Sequence, residues 1–384
     1  MNRLIIVGNG FDIANGLKTK YSDFLLDYFL ERIKELKNAK ENSDGLLTIK
    51  RALNKYPIIN SNFSKISSLK KLKENEYLEV RCNGTIHSTP NNPSQVIFDF
   101  DSKFFYSIYD QLDWSGIEDL YFKHLLEIKS TNKPENEIRE ALIELNDHFG
   151  KIKELLRSYL KTITKENYIR AIKKSPFLNS IQTSLRKEFG LHEIDPSRRL
   201  DIKNEYAKEK KDWIIKKNMI VNFNYTNLAE ELLGTSLNAE VVNIHNTLND
   251  EDLIFGYGDE THIDYKSIEQ VGIKEYLDNM KSIHYNLGAN LIKLMELIYK
   301  DYYDVYVLGH SLGLSDRVLL KEIFENEYCL SIKLFHRGSK ESYLKNYISL
   351  TRHFDNKYTM RKKVKPYSEG LILNHERSDQ KIEK

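Results

Sequence analysis

The chain has 384 residues, 40% of them hydrophobic, which is the composition of a globular protein with room for one large domain or two ordinary ones. Its 58 Lys and Arg nearly balance 56 Asp and Glu, and a net charge of +2 excludes a whole-protein nucleic-acid footprint. No apolar run approaches the roughly 20 residues of a membrane helix, and two distant cysteines, Cys82 and Cys329, exclude a four-cysteine zinc site.

Residues 3–7 (RLIIV) read as a short buried strand, apolar, β-branched and ended by glycine. No leader pattern precedes it and the cysteines read as reduced, so a cytoplasmic protein is expected. From Tyr21 the apolar residues Phe24, Leu25, Tyr28, Phe29, Ile33 and Leu36 recur at helical spacing, with Ser22 or Asp23 as candidate cap. Residues 38 to about 80 are polar and lysine-rich, and predict loops and short helices. Residues 77–82 and 95–100 have strand-like composition between turn signals. Helical faces return from about 117 to 175, carried by Leu125, Leu142, Leu145, Ile152 and Leu156 among others.

The texture changes again near residue 213. Strands are predicted at 219–223, 239–244, 304–308 and 329–335, with helices at 228–233, 317–325 and a long one near 266–300. Short apolar strands alternating with helices predict an α/β fold, a Rossmann-like parallel sheet. The expected division is a discontinuous α/β domain over 1–37 and 212–350, a large, mainly helical inserted domain over 38–211, and a peripheral tail over 351–384.

In such a sheet, ligands sit beyond the carboxyl ends of the strands. Four stretches fall there: Gly8-Asn9-Gly10-Phe11-Asp12, Asn222-Phe223-Asn224-Tyr225-Thr226-Asn227, Asn243-Ile244-His245-Asn246, and Gly309-His310-Ser311-Leu312-Gly313. Glycines after a first strand let backbone approach a pyrophosphate. The third glycine is Gly16, so the plain G-x-G-x-x-G fingerprint is not met, and a tight turn with Asp12 as helix cap reads equally well. The asparagine stretch reads as an Asx-turn with Thr226 or Asn227 as cap, or as a ribose-binding edge through Asn224. His245, at a strand end, is either structural or a general base. Gly309 to Gly313 matches G-x-S-x-G, which makes Ser311 a candidate nucleophile; His336, His353 and His375, with Asp355, are then its available partners, Asp316 reading as too near on the following helix.

Taken together with Gly16-Leu17-Lys18-Thr19, Tyr21, Phe24, Phe255-Gly-Tyr-Gly-Asp259 and Asp316, these stretches resemble the AbiH family of bacterial phage abortive-infection proteins. That family is in turn similar to the sirtuin-like NAD-binding fold. Gly8-Asn9-Gly10 with Gly16-Leu17 looks like the sirtuin glycine pattern, Asn222 to Thr226 like its Thr-Gln-Asn-Ile-Asp stretch, His245-Asn246 like its His-Gly, and Gly309-His310-Ser311 like its late Gly-x-Ser. Thr226 stands where sirtuins have aspartate and Asn246 where they have glycine. The paired-cysteine zinc module of the deacetylases is missing, so peptide deacetylation is not implied.

What the resemblance implies is NAD hydrolysis without a metal. Asn224 and His245 would be catalytic. Gly8, Asn9, Gly10, Phe11, Asp12, Gly16, Thr19, Tyr21, Tyr225, Gly309, His310, Ser311 and Asp316 would hold the dinucleotide. The inserted block would carry a phage-derived or partner-protein trigger surface, or a homo-oligomer contact. A nucleotide sensor without turnover and a serine hydrolase built on Ser311 are the other two readings, from different classes.

Overall fold

The computed structural model describes residues 1–52, 63, 65–109, 114–131, 133–164, 176–208 and 213–373. Its strands are β1 (Asn2–Val7), β2 (Glu41–Ser43), β3 (Leu47–Arg51), β4 (Leu78–Cys82), β5 (Thr85–Ser88), β6 (Val96–Phe100), β7 (Lys217–Asn222), β8 (Ala239–Asn243), β9 (Tyr303–Leu308) and β10 (Cys329–Leu334). They form two five-stranded sheets, in the orders β10-β9-β1-β7-β8 and β2-β3-β6-β4-β5. The chain divides into two compact units, one of residues 1–17, 161–262 and 280 onward, the other of 18–160 and 263–279.

In the first unit every strand pairing is parallel. Strands β1, β9 and β10 are buried at every residue. This is why they read as near-continuous apolar runs: a parallel sheet is covered on both faces. Leu4, Ile6, Met219, Val221, Val305 and Val307 point to one face, against Leu294, Leu297, Leu319 and Ile323 of flanking helices. Ile5, Val7, Ile220 and Leu308 point to the other, against Leu178, Ile181, Leu185, Leu228 and Leu232. The register aligns Val7 with Asn222 and Leu308, and Asn222 with Asn243, so four strands end in one row. The four polar stretches therefore leave the sheet side by side.

Three expectations are corrected here. Residues 266–300 are not one helix: a helix at Tyr265–Glu269 gives way to short turns before Asn290–Lys300. Gly272 at φ +75° stops the first segment, in the left-handed region that glycine enters at no steric cost. The stretch after 350 is not peripheral. Phe354, Met360 and Val364 are buried in the sheet's core cluster, and Val364 bridges to Ile332 of β10. The helix at Pro176–Leu185, expected in the insertion, packs on the parallel sheet through Leu178 and Ile181.

The second unit is not simply helical. It has its own mixed sheet, in which β4 and β6 pair in parallel and the other neighbours antiparallel. Phe29 stacks on Phe98 at 5.1 Å and meets Tyr109 edge-on at 5.4 Å. The helix Glu135–Ile163 buries Leu142, Leu145, Phe149, Ile152, Leu156 and Tyr159, the one-face stripe that its 3.6-residue repeat dictates. Among the described residues no helix is long and apolar enough to cross a membrane.

Candidate functional site

The glycines of the first and last edge stretches exist for each other. The Gly10 N–H donates to the Gly309 carbonyl at 2.8 Å. A Cβ on Gly10 would lie 2.7 Å from that oxygen, and one on Gly8 2.5 Å from His310 Cα. Gly309 has φ +73°, and its Cβ would meet the Phe11 nitrogen at 2.3 Å. The close approach these glycines permit is thus, in this structure, of one strand-end turn to another. Gly16, exposed at φ +88°, ends the six-residue helix Asn9–Ala14, an αL stop that glycine adopts readily.

Asp12 caps no helix; Gly8 holds the cap position and offers no side chain. Instead the Asp12 carboxyl is buried inside the fold. It accepts the Asn224 amide at 2.9 Å on one oxygen and the Thr226 hydroxyl at 2.6 Å on the other. Burial raises its pKa to about 7, against the pull of those two hydrogen bonds. Asn222 ties the turn that presents both partners. Its side-chain Oδ1 accepts the Asn224 N–H at 3.1 Å, the Asx-turn expected there, and its side-chain Nδ2 donates to Asn243 Oδ1 at 2.9 Å. Thr226 commits its hydroxyl proton to Asp12.

His245 follows β8 and is fully enclosed. Its Nδ1–H donates to the Phe223 carbonyl at 3.0 Å, and its Nε2 faces the Tyr285 hydroxyl at 3.2 Å and Asp316 Oδ1 at 3.1 Å. The buried Lys281 ammonium donates to the same Oδ1 at 2.9 Å. His310 brings its Nε2 to 3.5 Å from Asp316 Oδ2, while its Nδ1 accepts the Leu312 N–H at 3.0 Å. Phe223 lies edge-to-face against both imidazoles, 5.2 Å from His245 and 4.4 Å from His310. Burial and the Lys281 charge push the His245 pKa below its ordinary value, with Asp316 pulling the other way. Burial alone would raise Asp316, but Lys281, His245 and His310 hold it well below the usual carboxylate range. The outcome is an ionised Asp316 shared by Lys281 and His245, and a His245 ring that burial and Lys281 bias toward its neutral form.

The neighbouring turns are shaped to the same end. Asn246 takes φ +61°, the left-handed backbone that asparagine tolerates. Gly258 packs against the strand-end turn before Asp316; a Cβ there would lie 2.3 Å from the Ser315 carbonyl. Asp259 meets Arg317 at 3.5 Å.

The first unit brings together Asp12, Asn224, Thr226, His245, His310 and Asp316, with Gly8, Asn9, Gly10, Phe11 and Gly309 forming the adjoining turns. Tyr225 borders His245, 6.1 Å between ring centroids, and donates to the Ile254 carbonyl. Thr19 and Tyr21 belong to the second unit, where the Tyr21 hydroxyl donates to the Ile108 carbonyl at 3.2 Å. A groove of about 710 Å³ in that unit, lined by Cys82, His87, Lys103, Lys123 and His124, contains none of the sequence candidates. Lys281 and Tyr285 escaped the sequence reading. Each is an ordinary residue in a polar stretch, and Lys281 meets Asp316 across 35 positions of chain.

Ser311 is exposed, and the left-handed positions of its turn belong to Gly309 and Leu312 rather than to the serine. A nucleophile elbow strains the serine itself. The partners considered for it are engaged elsewhere. His336 bonds the Ser368 carbonyl and the Gly338 N–H, His353 bonds the Leu312 carbonyl, and Asp355 pairs with Lys321 at the surface. His375 lies outside the described residues.

The fold and site define a parallel α/β protein with a buried aspartate–histidine–lysine cluster at the carboxyl edge of its sheet. The family model described as "Bacteriophage abortive infection AbiH" matches residues 4–336. The chain belongs to the AbiH family, and membership points to a role in phage abortive infection. No curated protein matches the chain.

Proposed function

We propose that this AbiH protein is an abortive-infection effector that hydrolyses NAD to nicotinamide and ADP-ribose at the carboxyl edge of its parallel sheet. The observation that carries the reading is His245: a buried imidazole, oriented by the Phe223 carbonyl, with Nε2 beside Asp316 and its pKa pushed down by burial and Lys281. A neutral imidazole at physiological pH is a competent general base, a contribution of typically 10²–10⁴-fold. The sirtuin-like order of the four edge stretches adds support from analogy.

Asn224 would position the nicotinamide ribose, with Asp12 holding its amide. The C1′–N bond breaks with its electron pair leaving on nicotinamide, which departs neutral and needs no strong acid. The ring passes through an oxocarbenium-like state, as in other glycosyl cleavages. A water oxygen bonds to C1′ and its proton goes to His245 Nε2, directly or through a ribose hydroxyl. No step calls for a metal. Asp12 and His245 are 1% and 4% exposed, so NAD must open the edge to reach them. An effector that has to stay silent until infection gains by such closure, and a phage-derived or partner-protein trigger would supply the opening.

One observation favours a second reading. Both His245 nitrogens already have partners, an arrangement that suits a sensor binding NAD or ADP-ribose without turnover. The test is chromatography of nicotinamide and ADP-ribose released by purified protein, wild type beside His245→Ala and Asn224→Ala. Release by wild type that both changes abolish supports the NADase. NAD bound but intact, in purified protein and in infected cells alike, supports the sensor. No binding at all sinks both.

A further inference from the structure

Among the described residues the cluster holds a buried lysine that neither the edge stretches nor the family resemblance points to. Lys281 is 2% exposed and shares Asp316 Oδ1 with His245, at 2.9 Å against 3.1 Å. Its backbone is pinned as well: the Lys281 N–H donates to the Tyr257 carbonyl at 2.8 Å, and Met280 bridges to Tyr257. The ammonium is therefore delivered to the carboxylate by a braced turn.

An ionised carboxylate beside an imidazole ordinarily draws a proton onto it, since an opposite charge at this distance favours the charged form. A protonated His245 could accept nothing. Here the Lys281 ammonium already pairs with Asp316, and the same positive charge opposes a second one on the ring. We propose that Lys281 is a positioning residue which keeps His245 neutral, so that its Nε2 remains a base at physiological pH. The proposal rests on His245 acting as the base of the NADase reading.

Among the described residues, the titratable and charged groups around His245 include Asp316 and His310 from the turn after β9, Tyr225 from the turn after β7, Tyr285 and Lys281 from the 281–285 segment, with His353 and Arg352 behind Asp316 and His310. His310 already accepts the Leu312 N–H at Nδ1, and His353 is pushed down to about 4, mainly by burial. Neither replaces Lys281 as a fixed charge.

The experiment reads the ring directly. Histidine-labelled wild type, Lys281→Met and Lys281→Arg are titrated by NMR, with His245→Ala assigning the signal, and nicotinamide release is followed across pH. In Lys281→Met the His245 titration and the acid limb of the rate profile both move to higher pH. Turnover at pH 7 falls by about tenfold or more and recovers on the alkaline side. Lys281→Arg keeps the wild-type profile. A His245 titration that stays in place in folded Lys281→Met overturns the inference. Should that variant not fold, Lys281→Gln gives the same reading, and an unmoved His245 titration there overturns the inference equally. If wild type hydrolyses no NAD, the NMR titration still decides the role of Lys281, and only the NADase reading fails.

Discussion

The parallel sheet carries two buried charge clusters, and they are built to opposite ends. In the first, Arg3 is bidentate on Asp304, at 2.8 to 3.2 Å, and its other arm donates to the carbonyls of Leu185 and Lys187. Lys333 lies 3.5 Å from Asp304, pairs with Glu193 and sits over the Tyr306 ring. Burial alone would lower the pKa of Arg3 and of Lys333, but Asp304 lifts both above their ordinary values. Two cations face two carboxylates. In the second cluster, at the carboxyl edge, burial lifts Asp12 to about 7 and pushes His245 down. The first cluster holds strands and a helix together. The second holds Asp12, whose protonation changes near neutrality, beside a His245 pushed toward its neutral form, and perturbed groups of this kind are what chemistry requires.

Substitutions that separate these roles span a range of expected sizes. The largest effect falls on the first cluster. Asp304→Ala leaves Arg3 and Lys333 buried without their shared anion, and denaturant unfolding should report a loss of about 3–5 kcal/mol. Asp12→Asn comes next and is read against pH. The folded-state pKa of Asp12 is raised from 3.8 to about 7, so its contribution to stability is fully present below about pH 4 and lost as pH rises through about 7. Wild type should therefore lose on the order of 4 kcal/mol across that window from this group, and Asp12→Asn should lack the slope. Gly10→Ala sets a Cβ 2.7 Å from the Gly309 carbonyl, a backbone atom with little room to move, and thermal melts should show a cost of about 1–3 kcal/mol. The smallest effect is Thr226→Val. It removes one of the two bonds that pull Asp12 down, so the Asp12 titration should move to higher pH at a stability cost of about 1 kcal/mol.

Much of the parallel sheet is legible in the chain because burial on both faces leaves runs such as Leu4 to Val7 and Val305 to Leu308 with no polar alternation. The edge stretches are legible for a related reason: polar residues straight after such a run mark the row where the strands end. Other features left no such trace. The strands β2 (ENS) and β5 (TIHS) are short, polar sheet edges without periodicity. The segment 266–300 has helical composition but is broken where Gly272 turns. Thr226 looks like a departure from the sirtuin pattern, yet its hydroxyl closes the bond network of Asp12. Lys281 is one lysine among 58 basic residues, and only tertiary contact sets it apart.

The central claim is that chemistry resides at the carboxyl edge and structure in the Arg3–Asp304 cluster. The most direct measurement is nicotinamide release per folded molecule, with His245→Ala beside Asp304→Asn in one assay. The account predicts a loss of at least about 10²-fold in His245→Ala and wild-type turnover in whatever fraction of Asp304→Asn remains folded. Equal turnover in His245→Ala and wild type, or a loss confined to Asp304→Asn, would contradict it.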